Sequence, residues 1–303
     1  MYLDFYGLRE RPFTLQPDPE FLYLGRRHST AYTLLEYGIC NQAPITVLTG
    51  EIGAGKTTLL RHLLNQLDEG TEVGLISNTH RAFGNLLEWI SLAFDLPFEG
   101  QSEAALYRQF VDFLIRRYAQ GQQTLLIVDE AQNMDPATLE ELRVISNVNA
   151  DKDQVLQLVL SGQPELREVL RRPELEQFAQ RVAVDYHLGP LEAEETDAYI
   201  RHRLAVAGGD EELIEPAARR FVHHQSGGIP RLINNLCDLA LVYGFAAQQR
   251  PVTAELVHEV VQDRIRNGGG LLTRRHKGPG VVPVGTDEDE VKGEEGPKRI
   301  DSA

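Results

Sequence analysis

The stretch Gly50-Glu51-Ile52-Gly53-Ala54-Gly55-Lys56-Thr57 follows directly on the apolar run Ile45-Thr46-Val47-Leu48-Thr49. It fits the phosphate-binding pattern G-x-x-x-x-G-K-[ST] at every fixed position. The flanks agree: a β-branched run precedes it, and Thr58-Leu59-Leu60-Arg61-His62-Leu63-Leu64 continues it with helical periodicity. Glycines let a backbone fold around a phosphate without Cβ clashes, so that several N–H groups converge on the anion. The helix that follows presents its positive end to the same charge. Residues Gly50, Glu51, Ile52, Gly53, Ala54, Gly55, Lys56, Thr57 and Thr58 are therefore the expected cradle for a nucleoside triphosphate, ATP. Lys56 is placed to reach the β- and γ-phosphates, and the Thr57 hydroxyl to ligate Mg²⁺.

Downstream, Leu125-Leu126-Ile127-Val128-Asp129-Glu130 is an apolar run ending in two acids. A buried strand would deliver Asp129 to its carboxyl edge beside the Thr57-bound Mg²⁺, directly or through water. Glu130 would then polarise the water that attacks the γ-phosphate. Hydrolysis of this kind needs positioning and charge stabilisation, so further polar groups should converge there. Ser161, ending the run Leu156–Leu160, is one candidate to orient that water, and Gln163 is its competitor; Ser161 also reads as a plain turn residue. Arg181 reads either as a finger reaching a neighbour's nucleotide or as a salt-bridged surface residue. Arg231 reads either as a contact to the phosphates or as a helix-start charge facing solvent. Asn78, ending the second strand, reads either as a hold on Glu130 in an inactive rotamer or as a turn residue.

From Pro44 to about Pro190, short apolar runs alternate with helix-period segments. The runs are 45–49, 73–77, 125–128, 156–160 and 183–188; the segments between them include 83–94, 104–119 and 136–148. Such alternation predicts an α/β fold, a parallel sheet with helices on both faces. Runs apolar at consecutive positions suit strands covered on both sides. Residues 1–43 form a leader rich in aromatics and prolines, helical from about Ser29 to Cys40, expected to lie as a strap over the next domain. From 191 to about 267 the alternation gives way to four helical patterns, 193–207, 215–225, 231–246 and 253–266, which predict a small helical domain. Residues 268–303 carry scattered Gly and Pro and the acid run Asp287-Glu288-Asp289-Glu290, and are expected to be disordered.

The chain has 303 residues, 42% hydrophobic and 25% charged, ordinary for a soluble globular protein. Its net charge of −15 weighs against nucleic-acid binding by the whole surface, leaving only a local basic face for that role. Cys40 and Cys237 lie far apart in apolar stretches, and are expected to be buried free thiols in a reducing compartment. No signal-peptide pattern opens the chain, and no run of about 18 uncharged apolar residues occurs. The expectation is a cytoplasmic protein with no direct membrane span. His223-His224 has no third ligand at zinc spacing and reads as a solvated helix face. Trp89 falls on the apolar period of Leu86, Ile90 and Ala93 and reads as core. Tyr23 and its leader neighbours read as packing residues or as a border to the adenine.

The order of phosphate loop, Asp129-Glu130, a polar residue after the fourth strand, Arg181 and a helical segment opening with Gly228-Ile229-Pro230-Arg231 resembles AAA+ ATPases. More narrowly, the chain resembles the general secretion pathway protein A family (ExeA-type ATPases). The resemblance rests on "YLDFYGLRERPFTLQPDPEFLYLGRRH", "LTGEIGAGKTTLLR", "LIVDEAQNM", "SGQPELREVLRRPEL", "QRVAVDYHLGPL" and "GGIPRLINNLCDLAL", and covers about residues 1–266. It implies a three-layer P-loop core over residues 44–190, a helical lid over 191–267, and an ATP-hydrolysing, nucleotide-assembled homo-oligomer. It also implies a partner in envelope machinery such as type II secretion, pili or exopolysaccharide export. Within it, Ser161 becomes a first sensor, Arg181 an intersubunit finger and Arg231 a second sensor. The longest family members continue into a transmembrane helix and a peptidoglycan-binding domain, whereas this sequence ends in a polar tail. Contact with the inner membrane is thus expected through a partner. Two other functions share the same core: a DNA-acting AAA+ ATPase of the transposition-helper or origin-binding kind, and a nucleotide-gated scaffold with negligible hydrolysis. No Lys/Arg stripe supports the first of these.

Overall fold

The leader starts with one turn of helix, α1 (Leu3–Tyr6), and reaches α2 (Arg26–Cys40) through an irregular, proline-containing stretch. Then come β1 (Ile45–Gly50), α3 (Lys56–Leu64), β2 (Thr71–Ile76), α4 (Leu86–Ala93) and α5 (Glu103–Ala119). β3 (Gln123–Val128) and α6 (Pro136–Ile145) follow, with a minimal hairpin of β4 (Asn149–Ala150) and β5 (Asp153–Gln154). β6 (Gln157–Gly162), α7 (Pro164–Leu170), α8 (Glu176–Ala179) and β7 (Val182–Leu188) complete the alternating part. Helices α9 (Ala193–Val206), α10 (Pro216–Ser226), α11 (Pro230–Ala246) and α12 (Ala254–Arg266) close the described chain. The computed structural model describes residues 1–68, 70–77, 85–150 and 153–266, and all of them fall in a single compact unit. Asn78 and the tail 268–303 lie outside the described residues.

The five long strands form one parallel sheet in the order β2-β3-β6-β1-β7. The inner strands β1 and β6 are buried at all six positions, and the edge strands β2 and β7 are only partly buried. That contrast explains why the inner runs are apolar at successive positions while Val182–Leu188 carries Asp185 and His187. On one face Val47, Leu126, Val128, Leu158 and Leu160 pack under Phe110 and Leu114 of α5 and Leu139 and Leu142 of α6. On the other, Leu48, Leu125, Ile127 and Val159 meet Leu35 and Ile39 of α2 and Leu59, Leu60 and Leu63 of α3. Trp89 is buried in the first of these layers.

Several element ends depart from the sequence reading, each for a local reason. α4 starts at Leu86 because Asn85 and Glu88 form a reciprocal capping box. α6 stops at Ile145, where the Ser146 hydroxyl turns back to donate to the Arg143 carbonyl. α2 starts three residues earlier than Ser29, and the Arg26 N–H finds a distant acceptor, Glu195 Oε1 on α9, at 2.8 Å. β6 runs on to Gly162, so Ser161 lies within the ladder opposite Leu48 and not in a turn after it.

The leader divides: α2 lies against the sheet, while the aromatic residues ahead of it pack on the C-terminal helices. Tyr2, Tyr6, Leu8, Phe13 and Phe21 are buried with Tyr199, Leu204, Ile233 and Leu241 of the C-terminal helices. Tyr2 donates to Asp238 Oδ1 at 2.5 Å, and Arg11 pairs with the other oxygen of that carboxylate at 3.0 Å. Both sheet faces are already covered by α2 to α6, so the aromatics find their apolar surface on α9 and α11. The cysteine expectation is half corrected: both thiols are free and Cys237 is buried, but Cys40 is exposed. Cys40 sits one residue beyond the stripe Ala31, Leu35, Ile39 that faces the sheet.

Candidate active site

The sheet's carboxyl edge gathers the candidate residues, as expected for a ligand crevice in an open α/β sheet. β1 runs into the loop, Gly55 caps α3 at φ 100°, and Gly53 holds φ 82°. A Cβ on Gly53 would stand 2.4 Å from Arg231 Cβ, so only glycine lets the start of α11 lie against the loop. The Arg231 N–H donates to the Gly53 carbonyl at 3.2 Å, while its side chain remains exposed at the cavity. The structure thus joins Arg231 to the loop.

Lys56 is 6% exposed, and its Nζ donates to the carbonyls of Gly50 at 2.8 Å and Glu51 at 3.2 Å. Burial pulls its pKa below the ordinary lysine value, and the carboxylates of Glu130 and Asp129 oppose that shift. The Thr57 hydroxyl donates to Asp129 Oδ2 at 2.8 Å, and Asp129 Oδ1 accepts the Glu130 N–H at 3.0 Å. Glu130 has φ 55°, a left-handed conformation that costs a non-glycine residue about 1 kcal/mol or more and clusters at functional sites. Its Oε2 accepts from Gln132 Nε2 at 2.6 Å and from Gln163 Nε2 at 3.3 Å. Lys56, Thr57, Asp129, Glu130 and Gln163 therefore stand together.

Ser161 is fully buried, and its Oγ has no hydrogen-bond partner among the described residues. Its register partner Leu48 and its neighbour Val159 face the layer that holds α3, which places Ser161 on the Thr57 and Asp129 side of the sheet. Arg181 is not part of this group. It precedes β7 at the amino edge of the sheet, about 20 Å of strand from Leu188, the partner of Gly50. Its Nη2 reaches the Ser146 carbonyl at 3.4 Å and Gln154 Oε1 at 3.3 Å. Burial and the nearby Arg143 pull its pKa down.

A cavity of about 330 Å³ extends from the loop between the leader and the helices α9 and α11. Two of its residues escaped the sequence reading. His28 is 4% exposed, with Nε2 at 2.9 Å from the Ala54 carbonyl, so the leader helix holds the loop from beneath. Burial lowers its pKa, partly offset by that bond and by Glu195. Arg203, 6% exposed, bonds the Pro12 carbonyl and the Tyr199 hydroxyl, and stacks on Phe21 at 4.7 Å. The signal was present: His28 keeps helical spacing with Ala31, Leu35 and Ile39, and Arg203 with Tyr199, Ile200 and Leu204. A titratable residue on an apolar stripe is expensive to bury, and so points to a tertiary task.

The donor set beside the loop, a hydroxyl and a carboxylate, is all oxygen and suits Mg²⁺. Residues 40–170 match the family model described as an AAA domain. Over 247 residues the chain is 44% identical to General secretion pathway protein A of Aeromonas hydrophila, spanning 81% of this chain and 45% of that protein. The chain thus covers a little under half of that relative's length. Among solved structures, Cdc6p of Pyrobaculum aerophilum superposes with a TM-score of 0.64 at 17% identity, over 81% of this chain and 70% of that one. The ORC2 protein of Aeropyrum pernix gives 0.60 at 18% identity, over 84% and 71%. Likenesses at such identity are of fold alone. Sheet order and loop together give this chain the AAA P-loop NTPase fold, and its sequence is similar to General secretion pathway protein A over four fifths of its length.

Proposed function

We propose that this chain hydrolyses ATP to ADP and phosphate with Mg²⁺, and uses the cycle as a motor or switch that assembles or remodels a bacterial envelope export complex. The observation that carries the hydrolytic part is the run Thr57–Asp129–Glu130, hydrogen-bonded in series beside a buried lysine. Arriving phosphates would draw Lys56 Nζ away from the Gly50 and Glu51 carbonyls, exchanging neutral acceptors for charged ones. Thr57 and Asp129 would hold Mg²⁺, which when bound neutralises charge building on the β- and γ-phosphates. Glu130 accepts the proton of the attacking water. Ser161, buried with a spare hydroxyl, orients that water, and Gln163 serves by holding Glu130. Arg231 meets the phosphates from α11, and the base lies toward Phe21, Tyr23 and Arg203.

Arg181 lies too far from its own site to serve it, which supports a role at a neighbour's nucleotide in a homo-oligomer. The export reading rests on the name and 44% identity of the relative from Aeromonas hydrophila. No helix among the described residues is long and apolar enough to cross a membrane, which suits a cytoplasmic protein that reaches the inner membrane through a partner. The DNA-acting reading has only fold-level likeness behind it, and the net charge of −15 opposes it. ATP turnover in the Lys56→Ala protein tests the assignment: it should drop to background. Unchanged turnover would place hydrolysis elsewhere.

A further inference from the structure

Glu130 is fixed by more than its own peptide. Gln132, in the short turn of helix Ala131–Asn133, donates from Nε2 to Glu130 Oε2 at 2.6 Å. The other end of the same amide, Oε1, accepts the backbone N–H of Gln163 at 2.9 Å. A backbone N–H can only donate, so the amide oxygen must face Gln163 and the NH₂ must face the carboxylate. The orientation of Gln132 is thus dictated by its surroundings. Gly162 makes room for it: a Cβ there would stand 2.9 Å from Gln132 Oε1. The carboxylate held in this way lines the cavity beside Lys56 and Thr57.

We infer that Gln132 is a positioning residue that ties the Glu130 carboxylate to the end of β6, a role that rests on reading Glu130 as the base. Its side chain does not touch the reacting atoms; it holds the rotamer of the residue that does. The link also makes the base follow the β6–α7 junction, because Gln163 is the cap residue of α7. From α7, Arg167 reaches Asp185 of β7, at 2.9 Å, in the strand that Arg181 precedes. A shift of α7 therefore reaches Glu130 through the Gln163 N–H and the Gln132 amide, beside the longer direct bond from Gln163 Nε2 at 3.3 Å.

The test compares steady-state ATPase kinetics of the full chain with those of Gln132→Met and Gln132→Glu. Gln132→Met keeps the length and removes both hydrogen bonds. It should lower kcat about tenfold to a hundredfold while leaving KM for ATP within about threefold, as expected when a catalytic group is misplaced but present. Gln132→Glu can still accept from the Gln163 N–H but sets a second carboxylate against Glu130, and should lower kcat at least as far, with KM again within about threefold. A Met variant with kcat within about twofold of the parent overturns the inference. So does a Glu variant that turns over ATP at the parent rate. If turnover by the parent chain proves independent of Glu130, the base assignment fails and the inference falls with it. Glu130-dependent turnover that ignores Gln132 removes the inference alone.

Discussion

The two ends of the cavity are built in opposite ways. The phosphate end comes from one unbroken stretch, 50–58, and two acids at the tip of β3, which β6 separates from β1. Its working groups are largely backbone N–H groups and carbonyls, with Lys56 and Thr57 added. The far end exists only after distant segments meet. There Arg203 donates to the Pro12 carbonyl, 191 positions away, Tyr199 donates to Asn234 Oδ1 at 2.8 Å, and Asn234 donates to the Thr14 carbonyl at 3.1 Å. Phosphate recognition is thus a local property of the chain. In the proposed reading, recognition of the rest of the nucleotide would depend on how the leader and the C-terminal helices fold together.

That contrast can be broken or sharpened by substitution. Arg181 belongs to neither end, and Arg181→Ala should give the largest effect, about a thousandfold loss of turnover in the assembled protein with ATP affinity unchanged. The same loss in protein held monomeric would contradict a role across an interface. Phe21→Ala should come next: it empties the far end and costs about 3–4 kcal/mol of stability, measured by urea unfolding. ATP affinity should fall about tenfold while inorganic tripolyphosphate binds as before; parallel losses for both ligands would erase the distinction between the ends.

His28 gives the smallest effect, because it supports the loop without touching phosphate. Its folded pKa lies below the ordinary histidine value, through burial. The unfolded chain therefore takes up a proton near pH 6.5 that the folded chain refuses. Stability should fall as pH drops below about 6.5 and level off once folded His28 is itself protonated. His28→Gln should flatten part of that slope in thermal melts, the remainder belonging to His187 and His202, which burial also lowers. An unaltered slope would separate His28 from the loop's pH response.

How much the sequence revealed follows the same division. The phosphate loop, the strand ending in Asp129-Glu130 and the helix periods are local patterns, and the elements formed within a few residues of where the patterns place them. Ser161 was recognised as polar near a strand end, but small residues can occupy the last positions of a ladder, and β6 took it in. The start of α2 depended on Glu195 from α9, and the resting place of the leader's aromatics on the apolar surfaces of α9 and α11. Neither is encoded near the residues it governs. Gln132 stood in plain view two residues past Glu130, yet its partner Gln163 lies 31 positions on. His28 and Arg203 left a weaker trace, a titratable residue where the helical period called for an apolar one.

The claim that Glu130 works as the base at a site whose phosphate end is otherwise complete is tested most directly by Glu130→Gln. ATP binding and turnover should be measured on the same preparation. The variant should bind ATP with the affinity of the parent chain and hydrolyse it at least about a hundredfold more slowly. Turnover equal to that of the parent, or ATP affinity lost along with it, would contradict the account.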